Sequence, residues 1–510
     1  MKKYPKVILK WITRLILALV LLMVLLALLL QLSAVQTRVT QRLIREVSSR
    51  TGAELTLERI SIRLPSGIAL RGLYAEDALG DTLLYAGRVQ VDMRPLALIN
   101  KRIKVGRVAL EDISASITRL EPDTVFSYDF ILQALARNGT SGIIPEVEEE
   151  KSPSAWVFEL GKLEISKARV RFADHFSGID LQTDIGLLAT RIEQFDPQAF
   201  QYHLGETRIG ETRVSLSMTQ PSRPPEDKDT EPAVMDLALK ALGMDRFDFS
   251  MDTWEGLALL TRIDALDLLP RKLDISQQDI DLERFTIDGL LVDMVLPAPH
   301  AEEPQAGESQ APGKGFRWAD TFAWRLVADA LEVRRAEVAM ATRGTPPQQE
   351  VFDPKNFRFS GMELLVSGLD VSPGGIELEL ENLRAVSGRD FSLSQLTAGI
   401  SLGNSLRLDG LRLVTALSRL EGDLFAGFSP LVFPLENIED VPVEVDLREG
   451  RLGSDLAWFI PQLMGKLEPA DRLLFGISAS GTMNELGLDT LWAEGPGSFR
   501  LETAGRVANL

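Results

Sequence analysis

The chain of 510 residues contains no cysteine and only three histidines, His175, His203 and His300. Without cysteine there is no disulfide, no thiolate nucleophile and no Cys-zinc site. Disulfides are permitted but not required outside the cytoplasm, so their absence assigns no compartment. The histidines have no metal-ligand spacing. No serine occupies a Gly-x-Ser-x-Gly elbow, because Gly476-x-Ser478-x-Ser480 lacks the closing glycine. Gly307 to Lys314 is one residue too long for a phosphate loop, and Gly315 stands where Ser or Thr is needed. Gly495-Pro496-Gly497 has no third glycine before a helix. Asp279, Asp281 and Glu283 alternate on one strand face and read as solvated carboxylates, since an acid–base pair needs burial to separate its pKa values. The sequence therefore predicts no catalytic residue, no metal, no cofactor and no enzyme.

Long apolar runs are equally scarce, with one exception. Leu15 to Leu30 is unbroken, and Trp11 to Leu32 is long enough for a helix of about 33 Å, against a hydrocarbon core of roughly 30 Å. Trp11, Leu15, Leu19, Leu22, Leu26 and Leu30 are the expected anchor residues. Lys2, Lys3, Lys6 and Lys10 also suit a secretory signal, but the run is long and Leu32-Ser33-Ala34 is a poor cleavage tripeptide. An uncleaved transmembrane anchor is expected. The basic residues abutting it place the N-terminus in the cytoplasm and the rest of the chain outside.

Beyond that end acidic residues outnumber basic ones. Residues 1–50 carry nine Lys/Arg and one Glu, which leaves −26 on the remainder of a chain whose net charge is −18. An acidic body excludes nucleic acid as a partner, because phosphates need a basic face.

What the chain has in abundance is alternation. From Ala34 to Arg50, Val35, Val39, Leu43 and Val47 recur every four residues beside arginines, predicting an amphipathic helix that packs on the first strands or lies on anionic headgroups. After Gly52 the period becomes two, as in Leu55-x-Leu57, Ile60-x-Ile62, Ile68-x-Leu70, Val108-x-Leu110 and Val170-x-Phe172. Such strands carry one apolar and one charged face.

A small unit recurs: apolar-x-apolar-x-x-apolar-x-apolar. Strict copies start at Leu55, Leu163, Leu331, Phe357, Leu378 and Leu406, and looser ones at Ile68, Val108 and Phe285. About two strict copies are expected by chance from the apolar content. The double gap forces a change of face unless a bulge absorbs the extra residue or a hairpin turn replaces it, and Asp409-Gly410 suits such a turn.

Short helices are predicted at Tyr128 to Ala136, Val234 to Leu242 and Leu456 to Leu467. The last, with Trp458, Phe459 and Met464, reads as core or as a plug at a sheet end. Polar stretches divide the organisation into residues 1–32 (tip and anchor), 33–52 (juxtamembrane helix), 53–137 (first β-segment), 138–153 (linker) and 154–510 (further strands). Insertions fall near 219–232, 297–315 and 343–354, and the chain is expected to continue past Leu510. The fold class is all-β, an elongated, curled, mainly antiparallel sheet behind one transmembrane helix.

Residues 1–135, and within them Arg50-Thr51-Gly52, LTLERISIRLPSGIALRGLYAEDALGDTLLYAGRVQVDM and IKVGRVALEDISASITR, resemble the opening of AsmA-like proteins. The Asp81-Thr82-Leu83-Leu84 stretch is most similar to the Bacteroidetes-type TamB branch, the inner-membrane component of the translocation and assembly module. The resemblance implies an inner-membrane, periplasm-spanning β-groove that conducts phospholipid toward the outer membrane. It also implies an Omp85-type partner, docked through a C-terminal region not present in this sequence. On this reading acyl chains would contact Leu57, Ile60, Ile62, Leu70, Val108, Leu110, Leu163, Ile165 and Val170. The alternatives are a scaffold for outer-membrane β-barrel insertion, pairing clients through open strand edges, and a membrane-tethered binding protein of closed sandwiches. Periodicity does not separate an open trough from a closed sandwich.

Overall fold

The computed structural model describes residues 42, 44, 48, 54–63, 67–77, 80–93, 102–119, 125–130, 157–196, 201–220, 236–298, 316–317, 323–346, 352–388, 391–427, 432–433, 441–456, 459, 472–482, 484–495 and 499–508. Among them the protein is all-β. Helical backbone occurs only at residues 42, 44, 48, 129–130 and 456. None of these helices is long and apolar enough to cross a membrane. Trp11 to Leu32 lies outside the described residues, as do Val35, Val39, Leu43 and Val47 and most of the predicted helices at 128–136 and 456–467.

The strands in chain order are β1 (Leu55–Arg63), β2 (Gly67–Glu76), β3 (Thr82–Met93), β4 (Arg102–Arg119), β5 (Val157–Leu160), β6 (Lys162–Asp174), β7 (Ile179–Asp196) and β8 (Gln201–Met218). There follow β9 (Asp236–Thr253), β10 (Ala258–Asp274), β11 (Asp279–Leu296), β12 (Phe316–Arg317), β13 (Arg325–Thr342), β14 (Phe357–Ser372), β15 (Gly375–Ser387) and β16 (Phe391–Leu402). The last are β17 (Ser405–Thr415), β18 (Arg419–Gly427), β19 (Val432–Phe433), β20 (Pro442–Leu452), β21 (Leu473–Thr482), β22 (Glu485–Gly495) and β23 (Phe499–Ala508).

The chain divides into two compact units, with β8 shared between them. In the first, β1, β2, β3 and β4 form an antiparallel meander, β6 runs parallel to β4, and β7 returns antiparallel to β6. In the second, β9 to β11 are antiparallel, β13 is parallel to β11, and antiparallel pairing continues from β13 to β18, then through β20 to β23. A parallel neighbour needs a crossover of a dozen or more residues rather than a tight turn. The polar stretches at 138–153 and 297–315 fall in the connections leading to β6 and β13.

One expectation is overturned. Val234 to Leu242 reads as helix, yet Asp236 onward is strand, and Leu242 pairs with Leu268 of β10. Leu237, Leu239 and Ala241 alternate as well as they spiral, and they continue the strand whose pairing with β10 starts at Leu242.

The recurring double gap is a kink inside a continuous strand at all nine copies, including Asp409-Gly410, which lies within β17 and not in a hairpin. In seven copies the second gap residue has left-handed backbone: Gly72, Asp112, Lys167, Gly289, Arg335, Gly361 and Gly410 have φ of 61°, 57°, 53°, 69°, 51°, 58° and 61°. In the first unit the skipped positions face one another from strand to strand. Pairing jumps from Leu57↔Leu73 to Arg59↔Arg71, from Ala86↔Ile113 to Arg88↔Glu111, and from Ile165↔Leu188 and Ser166↔Leu187 to Ala168↔Ile185. Glu58, Gly72, Gly87, Asp112, Lys167 and Gly186 thus form one transverse line of unpaired residues. Since each strand carries the same extra residue, register survives and the apolar side chains stay on one face above and below the line. Within the second unit the ladder likewise skips Arg246, Asp264, Gly289 and Arg335. Glycine is required where a partner's side chain crosses the line. A Cβ at Gly72 would lie 2.3 Å from the Glu58 carboxyl carbon, and one at Gly289 would lie 2.1 Å from the Asp264 carboxylate.

Candidate functional site

The face selected by this parity is the first candidate site. Below the line, Leu57, Leu73, Ala86, Ile113, Ala168 and Ile185 stand in one cross-strand row. Above it, Ile60, Leu70, Val89, Leu110, Ile165 and Leu188 form the next. Flanking rows add Ile68, Val91, Val108 and Leu163 on one side, and Ala75, Leu84, Ala115 and Val170 on the other. Eight of the nine residues expected to contact acyl chain therefore share one face of six strands, and the ninth, Ile62, is in register with Ile68. Ile60 is 5% exposed; Leu57, Leu70, Val108, Leu110, Leu163, Ile165 and Val170 are partly exposed. Every described strand of this unit from β1 to β7 belongs to the same sheet.

The opposite face is charged and internally paired. Arg169 Nε–H donates to Asp184 at 2.8 Å and Arg171 Nη2–H to Asp180 at 2.7 Å. Arg107 Nε–H donates to Glu164 at 3.0 Å, and Lys162 lies 2.6 Å from the same carboxylate. Arg107, then Lys162, hold the Glu164 carboxyl below its ordinary range. Exposed pairs of this kind contribute little to stability, but they fix which face meets water. Asp279 and Asp281, alternating as predicted, are taken up in the same way by Lys272 and Arg271, each at 2.7 Å. His175 sits in the exposed β6–β7 turn and His203 in β8, while His300 lies outside the described residues. Among the described residues no group of three or more His, Asp or Glu is placed to hold a metal ion.

The second unit contains a feature the sequence reading missed. A pocket of about 400 Å³ is walled by Phe359 and Met362 of β14, Leu383 and Ala385 of β15, and Phe391 and Leu393 of β16. Leu413 of β17, Leu420 of β18, and Leu456 and Phe459 complete it, so the lining is apolar among the described residues. Phe459, expected in a core or plug, stands 4.9 Å from Phe391 and 5.1 Å from Phe352 between ring centroids. Trp458 and Met464 lie outside the described residues. Next to the wall, a polar knot fixes residues 453–456. Asp455 Oδ2 accepts from Leu417 N–H at 2.8 Å and from Thr415 Oγ1 at 2.5 Å, and Asp455 Oδ1 accepts from Ser418 Oγ at 2.5 Å. Gly453 N–H donates to Ser418 Oγ at 2.9 Å, and Ser418 is fully buried. Several wall residues belong to the recurring units at Phe357, Leu378 and Leu406. Their convergence depends on register shifts in β14 to β17 that no local pattern announces.

Compared with known proteins, the AsmA family model matches residues 1–199, which takes in β1 to β7. No curated protein matches the chain.

Proposed function

We propose that this is a membrane-anchored carrier of phospholipid, working without catalysis by moving acyl chains along an apolar sheet face toward the outer membrane. The observation that carries this reading is the set of parallel apolar rows in the first unit, kept on one side of six strands by a shared kink and left partly exposed. Hydrocarbon is the natural occupant of such rows, because removing them from water stabilises by about 25 cal/mol per Å² and requires no polar partner. Similarity to the AsmA family over the same strands supports a role in outer-membrane biogenesis. Within the proposal, Trp11 to Leu32 holds the protein in the inner membrane, the N-terminus is cytoplasmic, and the strands lie in the periplasm. An Omp85-type partner and a place among TamB-like proteins belong to the same reading.

Photo-crosslinking tests it directly. A benzophenone amino acid at Ile60, Leu110 or Val170 is expected to capture phospholipid in cells. The same group at Arg59 or Glu111, on the charged face, should capture little. Equal capture from both faces refutes a one-faced carrier.

A further inference from the structure

The pocket of the second unit is closed on one side by a segment that its own sheet does not position. Leu456 and Phe459 reach it from a short turn beyond β20. The turn is held by one carboxylate, Asp455, which gathers two hydroxyls and a backbone N–H from residues 415–418. Hydrogen bonds from Leu456 N–H to Gly453 O at 3.4 Å and from Phe459 N–H to Leu456 O at 3.1 Å carry that anchorage to the two apolar side chains. An unbroken apolar row runs through the wall and shares Leu383, Leu413 and Leu420 with it. Val333, Leu364, Leu383, Leu396, Leu413 and Leu420 are successive cross-strand partners from β13 to β18.

The chemistry of the occupant follows from the lining. Water needs two to four polar partners to be held in a cavity, and this wall offers none. A peptide segment would bring backbone N–H and C=O groups into a site that cannot satisfy them, at several kcal/mol each. An unbranched hydrocarbon chain brings neither problem. A cavity of about 150 Å³ accommodates a benzene ring, so about 400 Å³ accommodates a chain of roughly twelve to sixteen carbons.

We infer that this pocket is a terminal site for a single hydrocarbon chain, entered end-on from the apolar row, with the Asp455-held turn as its fixed back wall. Asp455 acts as a positioning residue, since it touches the turn and not the ligand. The inference deepens the lipid-carrier reading and rests on it for the source of the chain. Its prediction is distinct: the apolar rows of the first unit admit chains of any length, whereas this pocket saturates at one chain and selects for length.

The test uses the full chain in membranes, with fatty acids of eight, sixteen and twenty-two carbons bearing a diazirine at the methyl end. Adducts are mapped by mass spectrometry. The sixteen-carbon probe is expected to label Phe391 or Leu393 saturably, at no more than one adduct per chain and at least fivefold more than either other length. Ala385→Trp, which fills the pocket, should lower that labelling at least tenfold. Asp455→Ala should lower it severalfold and broaden the length preference, while labelling at Leu110 is unchanged in both variants. Pocket labelling that is absent, unsaturable or indifferent to chain length overturns the inference, and the wild-type length series decides this even if Ala385→Trp does not fold. Labelling at Leu110 without labelling in the pocket would defeat this inference and leave the carrier reading standing. Labelling at neither would defeat both.

Discussion

Replacing Asp174 with asparagine is expected to destabilise the β4–β6 end of the first unit by about 2 kcal/mol at pH 7, and by almost nothing at pH 2. Arg119 and Asp174 are the last residues of two parallel strands and are direct register partners. Arg119 Nε–H donates to Asp174 Oδ1 at 2.8 Å, Arg119 Nη2–H donates to Asp174 Oδ2, and the same Nη2 reaches Ser177 Oγ at 3.0 Å. Phe176 N–H and Ser177 N–H add bonds to Asp174 Oδ1 at 3.0 and 3.2 Å. The guanidinium lies 4.8 Å from the Phe126 ring centroid and 5.0 Å from that of Phe176, and the Asp174 side chain is only 6% exposed. The hydrogen bond from Arg119 is the largest cause of a fall in the Asp174 pKa from 3.8 to about 2, opposed by burial and assisted by Ser177. A depression of that size corresponds to about 2 kcal/mol. Because the folded-state pKa lies below the unfolded one, the stabilisation is complete above about pH 4 and disappears as pH falls through about 2. Hydrogen exchange of the β6 and β7 amides, compared between wild type and Asp174→Asn from pH 7 to pH 2, reads the difference locally. A gap that stays constant with pH would refute the ionic origin, and no gap at pH 7 would refute the stabilisation itself.

Three further outcomes follow from the kinked sheet and its anchor. Lys167 occupies left-handed backbone at φ 53°, so Lys167→Gly should raise stability by about 0.5–1 kcal/mol, while Lys167→Val, β-branched, should lower it; paired urea titrations check the opposite signs. Leu282 is 3% exposed in the core of the second unit, and Leu282→Ala should cost about 2–5 kcal/mol in the same assay, a near-neutral result contradicting its burial. Because the chain has no cysteine, single introduced cysteines report topology cleanly. With the outer membrane permeabilised, a membrane-impermeant maleimide should label Glu206→Cys and leave Lys3→Cys unlabelled until the inner membrane is opened, and the reverse pattern would invert the proposed orientation.

Strand positions and the composition of the apolar face were legible because both depend on a period of two, which every strand repeats. The double gap was legible as a device, but its form was not. A bulge and a turn demand the same residues at Asp409-Gly410, and only pairing with β16 and β18 separates them. Val234 to Leu242 misled because nine residues rich in leucine and alanine satisfy both periods. The parallel pairings of β4 with β6 and β11 with β13 had only an indirect signal, the polar length of the connections. The second-unit pocket was not legible at all as a site. Phe391, Leu393 and Leu456 join Phe359 and Leu420 through accumulated register shifts, and the hold of Asp455 on Thr415 and Ser418 spans about forty residues with no spacing to mark it.

The transverse line of kinks bears on how such a chain grows or shrinks. Each strand carries its own extra residue, so a hairpin duplicated or deleted takes its share of the line with it, and the strands newly brought together still agree in parity on both sides. A strand inserted without the extra residue would present half its apolar side chains to water. The number of strands and the sidedness of the sheet are thereby set by separate features of the sequence, and the first is free to vary while the second is held.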